Sequence, residues 1–131
     1  MPGLTPAGCP CRRAACSALL LLGLAACDPG PDARGATLIG APRRGAELIA
    51  ELGCGGCHSI PGVARARGRV GPPLDNMGER AIIAGMLPNT PENMVAWLLS
   101  PQGVVPGNAM PNQVRTDADA RDIAAYLYTL R

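Results

Sequence analysis

The feature that most constrains this chain of 131 residues is the segment Cys-Gly-Gly-Cys-His at residues 54–58. It separates two thiols by two glycines and places the single histidine of the sequence directly beside the second thiol. Two intervening residues on a helical turn set the two thiols at a spacing that one rigid ligand can bridge. A single histidine excludes every kind of site that needs two imidazoles.

Four kinds of chemistry use such a segment. Cys-x-x-Cys-His is the attachment signature of c-type haem, in which Cys54 and Cys57 add across two vinyl groups of one porphyrin and His58 reaches the iron. A zinc site usually has four ligands, and no second cluster follows. A thioredoxin-like dithiol needs strand–helix–strand surroundings, and a disulfide across this spacing would be strained and leave His58 without a role. The sequence therefore predicts one covalent haem c.

The composition agrees with a core that is filled by a cofactor. Hydrophobic residues make up 47% of the chain, but aromatic residues only 2%, and phenylalanine is absent. Because protein interiors are close-packed, a chain this poor in bulky side chains needs another apolar body at its centre. The basic residues are all arginines and the formal net charge is only +2, so no nucleic-acid partner is predicted.

The N-terminus, residues 1–26, is predicted to be a secretory signal of the lipoprotein type. Two arginines precede an apolar run of about 13 residues, which is shorter than the roughly 20 that span a bilayer. The run ends in Leu-Ala-Ala-Cys, which resembles the lipobox of bacterial lipoproteins and implies lipid attachment at Cys27. Ordinary signal cleavage beside an incidental cysteine is the alternative. The expected location is the periplasmic face of the inner membrane, lipid-anchored, or alternatively the soluble periplasm.

Residues 27–41 are rich in proline, glycine and small side chains, and they are predicted to be a flexible tether. An all-α domain is predicted over residues 42–131, and no run alternates as a strand. Proline, glycine and capping residues delimit its expected helices. These run from Pro42 to a stop at Gly53, from Glu79 to Leu87, from Thr90 to Pro101, and from a capping box at Thr116 and Asp119 to about Leu130.

Four methionines of the predicted domain are candidates for the sixth position on the iron. Met94 lies on the apolar stripe of the third predicted helix and Met86 at the end of the second, and both are expected to pack in the core. Met77 follows His58 by only 19 residues, which is short for wrapping the chain around a porphyrin edge. Met110 lies in an extended, proline-stiffened loop that can present a thioether across the haem. Met110 is the predicted ligand, and Met77 the alternative.

Four motifs together resemble those of class I cytochromes c of the small bacterial, lipoprotein type. In chain order they are Cys54-Gly-Gly-Cys57-His58, Gly71-Pro72-Pro73-Leu74, Pro106-Gly107-x-x-Met110-Pro111 and Ala125-Tyr126-Leu127. The resemblance covers residues 42–131 and implies the cytochrome c fold, with about four short helices wrapped around one haem. Residues 87–93 and 119–123 are also similar, more loosely, to cytochrome c domains associated with haem-copper terminal oxidases.

The resemblance also implies roles for individual residues. The carbonyl of Pro72 is expected to accept a hydrogen bond from His58, which orients the imidazole and raises its basicity. The family packs its first and last helices through a glycine–aromatic contact, for which Gly45 and Tyr126 are the matching positions. Trp97 is expected to line the haem pocket, to reach a haem propionate with its indole N–H, or to pack in the core.

With His58 and Met110 both on the iron, no coordination position is left for a substrate, and the thioether raises the reduction potential. The predicted function is a single-electron carrier of a bacterial respiratory chain, neither an enzyme nor a binder of small-molecule substrates. Its expected partners are redox proteins, among them a haem-copper oxidase. The alternatives are a haem enzyme or gas sensor with a displaceable sixth ligand, and a fixed haem subunit of a larger complex. The arginines at 65, 67 and 69 either steer an acidic partner or form a solvated charged loop.

Overall fold

The computed structural model describes residues 39–131, which are mainly helical, as predicted. Within these residues we number the α-helices α1 (Pro42–Glu51), α2 (Pro91–Leu99), α3 (Pro101–Val104) and α4 (Asp117–Leu127). The shorter elements are two 3₁₀ turns, Cys54–Gly56 and Met77–Glu79, and the antiparallel strands β1 (Ile82–Ile83) and β2 (Leu87–Pro88). The predicted signal, Cys27 and all but the end of the predicted tether lie outside the described residues.

The first helix, α1, confirms the prediction at both ends. It begins at Pro42, whose fixed φ and missing N–H suit the first turn of a helix. The helix ends just before Gly53, whose φ of +70° lies in the left-handed region that commonly follows the end of a helix. Its inner face is buried through Gly45, Leu48 and Ile49.

The second helix, α2, also begins where the sequence predicts. The Thr90 hydroxyl accepts a hydrogen bond from the Asn93 N–H at 3.3 Å and so satisfies one otherwise unpaired donor of the first turn. Met94 is only 2% exposed, which confirms its prediction as a core residue. Ser100 has a non-helical backbone conformation and separates α2 from the next helix. Pro101 was predicted only to end α2, but it also begins the short helix α3.

The last helix, α4, has the predicted cap. The Thr116 hydroxyl oxygen accepts from the Asp119 N–H at 3.1 Å, and the hydroxyl donates to the Asp119 carboxylate at 2.7 Å. The helix ends at Leu127, somewhat before the predicted end near Leu130. It packs mainly against α1 and also against α2.

The crossing of α1 and α4 depends on Gly45. A Cβ at this position would overlap the backbone carbonyl of Asp122 and lie 3.0 Å from the Cβ of Tyr126, so only a glycine permits the close approach. The Asp122 carboxylate also accepts the N–H of Ala41 at 2.7 Å, just before α1 begins. The glycine–aromatic contact expected at Gly45 and Tyr126 is therefore present.

The prediction of a helix from Glu79 to Leu87 is wrong. The chain instead makes the second 3₁₀ turn and then the β1–β2 hairpin, in which Ile83 pairs with Leu87. Each strand has two residues, which is too short for an alternating pattern to be recognised in the sequence. The prediction that the domain contains no strand is wrong for the same reason.

The turn of the hairpin explains this difference. Ala84 and Gly85 have φ values of +52° and +75°, and two successive left-handed residues suit a tight hairpin turn but not a right-handed helix. Met86 follows them and is 61% exposed. Its prediction as a core residue is wrong because the hairpin turn carries it out to the surface.

The buried core lies where α1, α2 and α4 meet. Its least exposed large side chains include Ile49, Met94 and Ile123, one from each helix. Within residues 39–131 no polar or charged residue is buried. None of the helices in this part of the chain is both long and apolar enough to cross a membrane.

Candidate haem site

The two cysteines and the histidine lie on one compact turn immediately after α1. Gly53 redirects the chain, and the 3₁₀ turn Cys54–Gly56 follows it. The N–H groups of Cys57 and His58 donate to the same carbonyl, that of Cys54, at 3.2 Å and 3.0 Å. The short spacing in sequence is thus held as a single hydrogen-bonded turn.

This turn borders a cavity of about 550 Å³, to which Cys54, Cys57 and His58 all contribute. Apolar side chains from α1, α2, α4 and the loops between them supply much of the remaining lining: Ile49, Ile60, Leu74, Met77, Met94, Trp97, Leu98, Met110, Val114, Ile123 and Leu127. Packed protein cores rarely contain voids larger than a water molecule. A space of this size, lined in this way, fits a large apolar cofactor, as the scarcity of bulky side chains predicts.

The two cysteines of the motif are not joined to each other by a disulfide. Cys54 is half-buried, and burial is the main cause that raises the pKa of its thiol above the ordinary value. A raised thiol pKa does not favour the reactive thiolate on which catalytic redox dithiols depend. Within residues 39–131, no group of three or more His, Cys, Asp or Glu side chains is arranged to hold a metal ion.

The imidazole of His58 has one orientation fixed by the backbone. Its Nδ1 lies 2.8 Å from the carbonyl oxygen of Pro72, and because a carbonyl can only accept, Nδ1 carries the proton. Nε2 then has the lone pair that a metal ligand needs. Gly71 makes room for the ring, since a Cβ there would lie 2.7 Å from Nδ1.

The segment that holds His58 is itself held by Arg80. The guanidinium of Arg80 donates to the carbonyls of Pro73 and Asp75 at 2.6 Å and 2.9 Å. Arg80 is also the one arginine among the described residues that line the cavity. Sequence reasoning missed it, because the local sequence does not show which backbone carbonyls the fold brings near Arg80.

A second polar residue that the sequence analysis missed is Asn89. Its Nδ2 donates to the carbonyls of Met77 and Arg80, each at 2.8 Å, and its Oδ1 accepts from the Tyr128 hydroxyl at 2.8 Å. The end of α4 is thereby joined to the segment that carries Met77. Nothing in the local sequence around Asn89 indicates partners so distant along the chain.

Three methionines and Trp97 contribute to the cavity. Met77 and Met94 are 7% and 2% exposed and belong to the buried apolar core. Met110 is half-buried and packs against that core from a loop without regular secondary structure. Trp97 is half-buried, lines the cavity and also packs against the core.

The arginines at 65, 67 and 69 are all exposed, while Ala66 between the first two is buried. Their loop returns to the haem motif, since Ser59 and Arg67 form a β-bridge. The Gly68 N–H also donates to the carbonyls of Gly55 and His58, at 3.0 Å and 3.1 Å. The three charges therefore border the motif turn in space as well as in sequence.

Comparison with known proteins identifies the family to which this domain belongs. The cytochrome c family matches residues 42–131. This chain belongs to the cytochrome c family. Cytochromes c of this kind carry haem c covalently, and the apolar cavity, the paired thiols and the oriented imidazole described above all fit that cofactor.

Relatives of this cytochrome c include two oxidase subunits. Cytochrome c oxidase subunit 2 of Alkalihalophilus pseudofirmus is 38% identical over 89 residues, and that of Bacillus subtilis is 36% identical over 88 residues. The matches cover 67% and 66% of this chain but 25% of each relative, so the chain spans about a quarter of the length of these curated relatives. No solved structure matches the chain.

Haem c supplies one-electron chemistry, in which the iron alternates between its ferric and ferrous states. The family therefore identifies the domain as an electron carrier with covalent haem c. The protein's own contribution is to hold the cofactor, to orient its ligands and to keep water away from most of it.

Proposed function

We propose that this cytochrome c is a single-electron carrier of a bacterial respiratory chain that donates electrons to a haem-copper terminal oxidase. The observation that carries the proposal is that Cys54, Cys57, His58 and Met110 all border one apolar cavity. The similarity to cytochrome c oxidase subunit 2 supports the choice of an oxidase as partner.

In this proposal Cys54 and Cys57 would hold the cofactor covalently through their sulfur atoms. Cys57 is exposed and Cys54 half-buried, so the attachment turn lies at the surface of the domain. A redox partner can therefore approach the turn directly. The apolar lining behind it keeps the remainder of the cofactor dry.

Nε2 of His58 and the thioether sulfur of Met110 would hold the iron of this cofactor. The hydrogen bond from Nδ1 to Pro72 supports the first, because it fixes the tautomer and raises the basicity of the ring. The second is supported by packing. Met77 and Met94 are members of the buried core, where a thioether serves as an adaptable apolar group, whereas Met110 lies on a loop at the cavity edge.

The scarcity of acid–base groups among the described residues that line the cavity favours a carrier over an enzyme. General acid–base catalysis needs a titratable side chain within hydrogen-bond reach of the reacting group. Among the described residues that line the cavity there is no Asp or Glu, and His58 is engaged by Pro72. The cavity therefore suits electron transfer, for which no proton donor or acceptor is required.

The docking surface in this proposal is the loop with Arg65, Arg67 and Arg69. These exposed charges border the motif turn and would steer an acidic partner surface toward it, acting mainly on the association rate. Val70 follows them, is 78% exposed and also lines the cavity. An apolar residue beside a basic patch at the cavity edge suits a brief encounter between redox proteins.

We further propose that residues 1–26 are removed as a signal, that Cys27 is lipidated and that residues 27–41 tether the domain to the periplasmic face of the inner membrane. The support is the apolar run followed by Leu-Ala-Ala-Cys in the sequence. Fractionation of cells that express the full chain or its Cys27→Ser variant tests this. The parent is expected in the membrane fraction and the variant in the soluble periplasm; a parent found soluble contradicts lipidation.

The test of function is oxidation of the reduced holoprotein by membranes that contain a haem-copper oxidase. We expect oxidation that depends on the oxidase and stops when cyanide blocks it, without uptake of carbon monoxide by the cytochrome itself. A reduced protein that binds carbon monoxide readily while the oxidase leaves it reduced would instead indicate a haem enzyme or gas sensor.

A further inference from the structure

The loop that carries Met110 has little backbone hydrogen bonding of its own. It contains Pro106 and Pro111, which have no N–H group to donate. Within residues 106–112, the one hydrogen bond between backbone atoms runs from the Asn108 N–H to the Val105 carbonyl at 3.3 Å. Since ordered backbone groups need partners, something outside the backbone must hold this loop.

The side chain of Gln102, on α3, supplies most of what the backbone lacks. Its Oε1 accepts from the Gly107 N–H at 3.3 Å. Its Nε2 donates to the carbonyl of Asn108 at 2.8 Å and to the carbonyl of Met110 at 3.0 Å. One side-chain amide thus joins three backbone groups of the loop to a helix.

Asn108 completes the arrangement from within the loop. Its Oδ1 accepts from the Met110 N–H at 2.7 Å, and its Nδ2 donates to the carbonyls of Pro101 and Val105 at 2.8 Å and 2.6 Å. Both main-chain polar groups of Met110 are therefore bonded to side-chain amides, the N–H to Asn108 and the carbonyl to Gln102.

The two amides differ in their relation to the cavity. Asn108 lines it, whereas Gln102 is exposed and is not among the residues that border it. A change at Gln102 can therefore reach the cofactor only through the loop. A substitution at Gln102 therefore tests the placement of Met110 without changing a residue that lines the cavity, whereas a substitution at Asn108 would change both.

We propose that Gln102 is the positioning residue for Met110: its amide holds the loop so that the thioether stays on the iron in both oxidation states. The inference rests on the proposed ligation by His58 and Met110. Without the amide, the loop gains conformational freedom, and the methionine competes less well with small external ligands such as carbon monoxide.

Two variants of the full-length holoprotein test this. Gln102→Leu removes all three hydrogen bonds at similar size, and Gln102→Glu keeps an acceptor for the Gly107 N–H but turns a carboxylate oxygen toward two carbonyl oxygens. The matched control is Thr116→Ala, which removes the cap of α4 and lowers stability without touching the loop. The parent and Met110→Ala are measured beside them.

The measurements are the rate of carbon monoxide uptake by the reduced protein and the far-red charge-transfer absorption of thioether-ligated ferric haem. We expect both Gln102 variants to take up carbon monoxide at least about tenfold faster than the parent and to lose part of the absorption, since they lose several hydrogen bonds. Thr116→Ala should keep the parent's absorption and uptake rate while its melting temperature falls.

Unchanged uptake and absorption in both Gln102 variants would overturn the proposal, as would a Thr116→Ala variant that changes as much as they do. If the parent and Met110→Ala behave alike, Met110 is not a ligand, and the proposed ligation falls together with this inference. If Met110→Ala alone differs from the parent, the ligation stands and the role of Gln102 is rejected.

Discussion

The Nδ1 atom of His58 lies 2.8 Å from the carbonyl oxygen of Pro72, and Gly71, the residue before this proline, lies against the imidazole ring. The carbonyl fixes the tautomer, and the missing side chain at residue 71 lets the ring reach the carbonyl. The orientation of the proposed iron ligand thus depends on two backbone features that follow one another in the sequence.

Gly71→Ala is predicted to tilt the imidazole and weaken its hydrogen bond to Pro72. The added Cβ would lie 2.7 Å from Nδ1, which is closer than real side chains allow, so the ring or the loop must move. A less basic, misoriented imidazole stabilises ferric iron less well. The reduction potential of the holoprotein should therefore rise above the parent's, and cyclic voltammetry measures this change.

Gly45→Ala serves as the control and carries its own prediction. Its Cβ would overlap the carbonyl of Asp122 at the crossing of α1 and α4, so the helices must separate. Overpacking of this kind costs about 1–3 kcal/mol of unfolding free energy. Denaturant titration should show that loss while the reduction potential stays near the parent's; equal shifts of potential in both variants would show that neither acts through His58.

The alkaline stability of the domain is predicted to depend on Tyr128. Burial, with a smaller contribution from the charge of Glu92, raises the pKa of its phenol to about 12 in the folded protein, against about 10 in an unfolded chain. The folded state therefore keeps the proton longer than the unfolded state does. The stabilisation is fully present below about pH 10 and is lost as pH rises from there to about 12.

Tyr128→Phe checks this by melting curves recorded between neutral and strongly alkaline pH. The variant loses the hydrogen bond to Asn89, so it should be less stable at neutral pH by about 1 kcal/mol. Its melting temperature should fall less steeply than the parent's above about pH 10. If the melting temperatures of the parent and of Tyr128→Phe fall in parallel throughout this range, Tyr128 does not contribute to the alkaline loss of stability. Burial also raises the pKa of Tyr126, so this second tyrosine accounts for part of the alkaline fall in melting temperature that remains in Tyr128→Phe.

Replacing Arg65, Arg67 and Arg69 together with glutamine is predicted to slow association with an acidic redox partner at low salt. Exposed charges act through long-range attraction, which falls with ionic strength because salt screens it. Stopped-flow oxidation by a haem-copper oxidase at several salt concentrations measures the rate. The reduction potential should not change, since none of the three arginines lines the cavity.

A charge-matched control is available elsewhere on the domain. Arg43, Arg115 and Arg121 are also exposed, and they lie on or beside α1 and α4. Their joint replacement with glutamine removes the same charge, so it separates a local patch from net charge. If this triple variant slows association as much as the first, the loop is a solvated segment and not a docking surface.

The parts of the fold that were predictable from sequence have local causes. Helix α1 begins at Pro42, and α2 and α4 begin directly after the capping residues Thr90 and Thr116, because a proline or a capping hydroxyl suits the start of a helix. The glycine–aromatic contact of Gly45 with Tyr126 followed from matched family motifs. For the helix starts, a short stretch of sequence contains the physical reason, whereas the contact between Gly45 and Tyr126 was expected only from the family resemblance.

The parts that were missed depend on contacts between distant residues. The β1–β2 hairpin contains too few residues for a pattern, and its left-handed turn at Ala84 gives no sequence signal because alanine favours helices. Arg80, Asn89 and Gln102 act by bonding to backbone carbonyls that the fold brings near them. Any exposed polar residue could serve in this way, so sequence alone does not single these out.

The measurement that tests the central claim most directly is the absorption of the holoprotein in both oxidation states, recorded for the parent, Met110→Ala and Met77→Ala. We predict a far-red thioether band in the ferric parent and in Met77→Ala, its loss in Met110→Ala, and carbon monoxide uptake by reduced Met110→Ala alone. A parent that lacks the band and already binds carbon monoxide would contradict the account, because the iron would then have an open position and the carrier assignment would lose its basis.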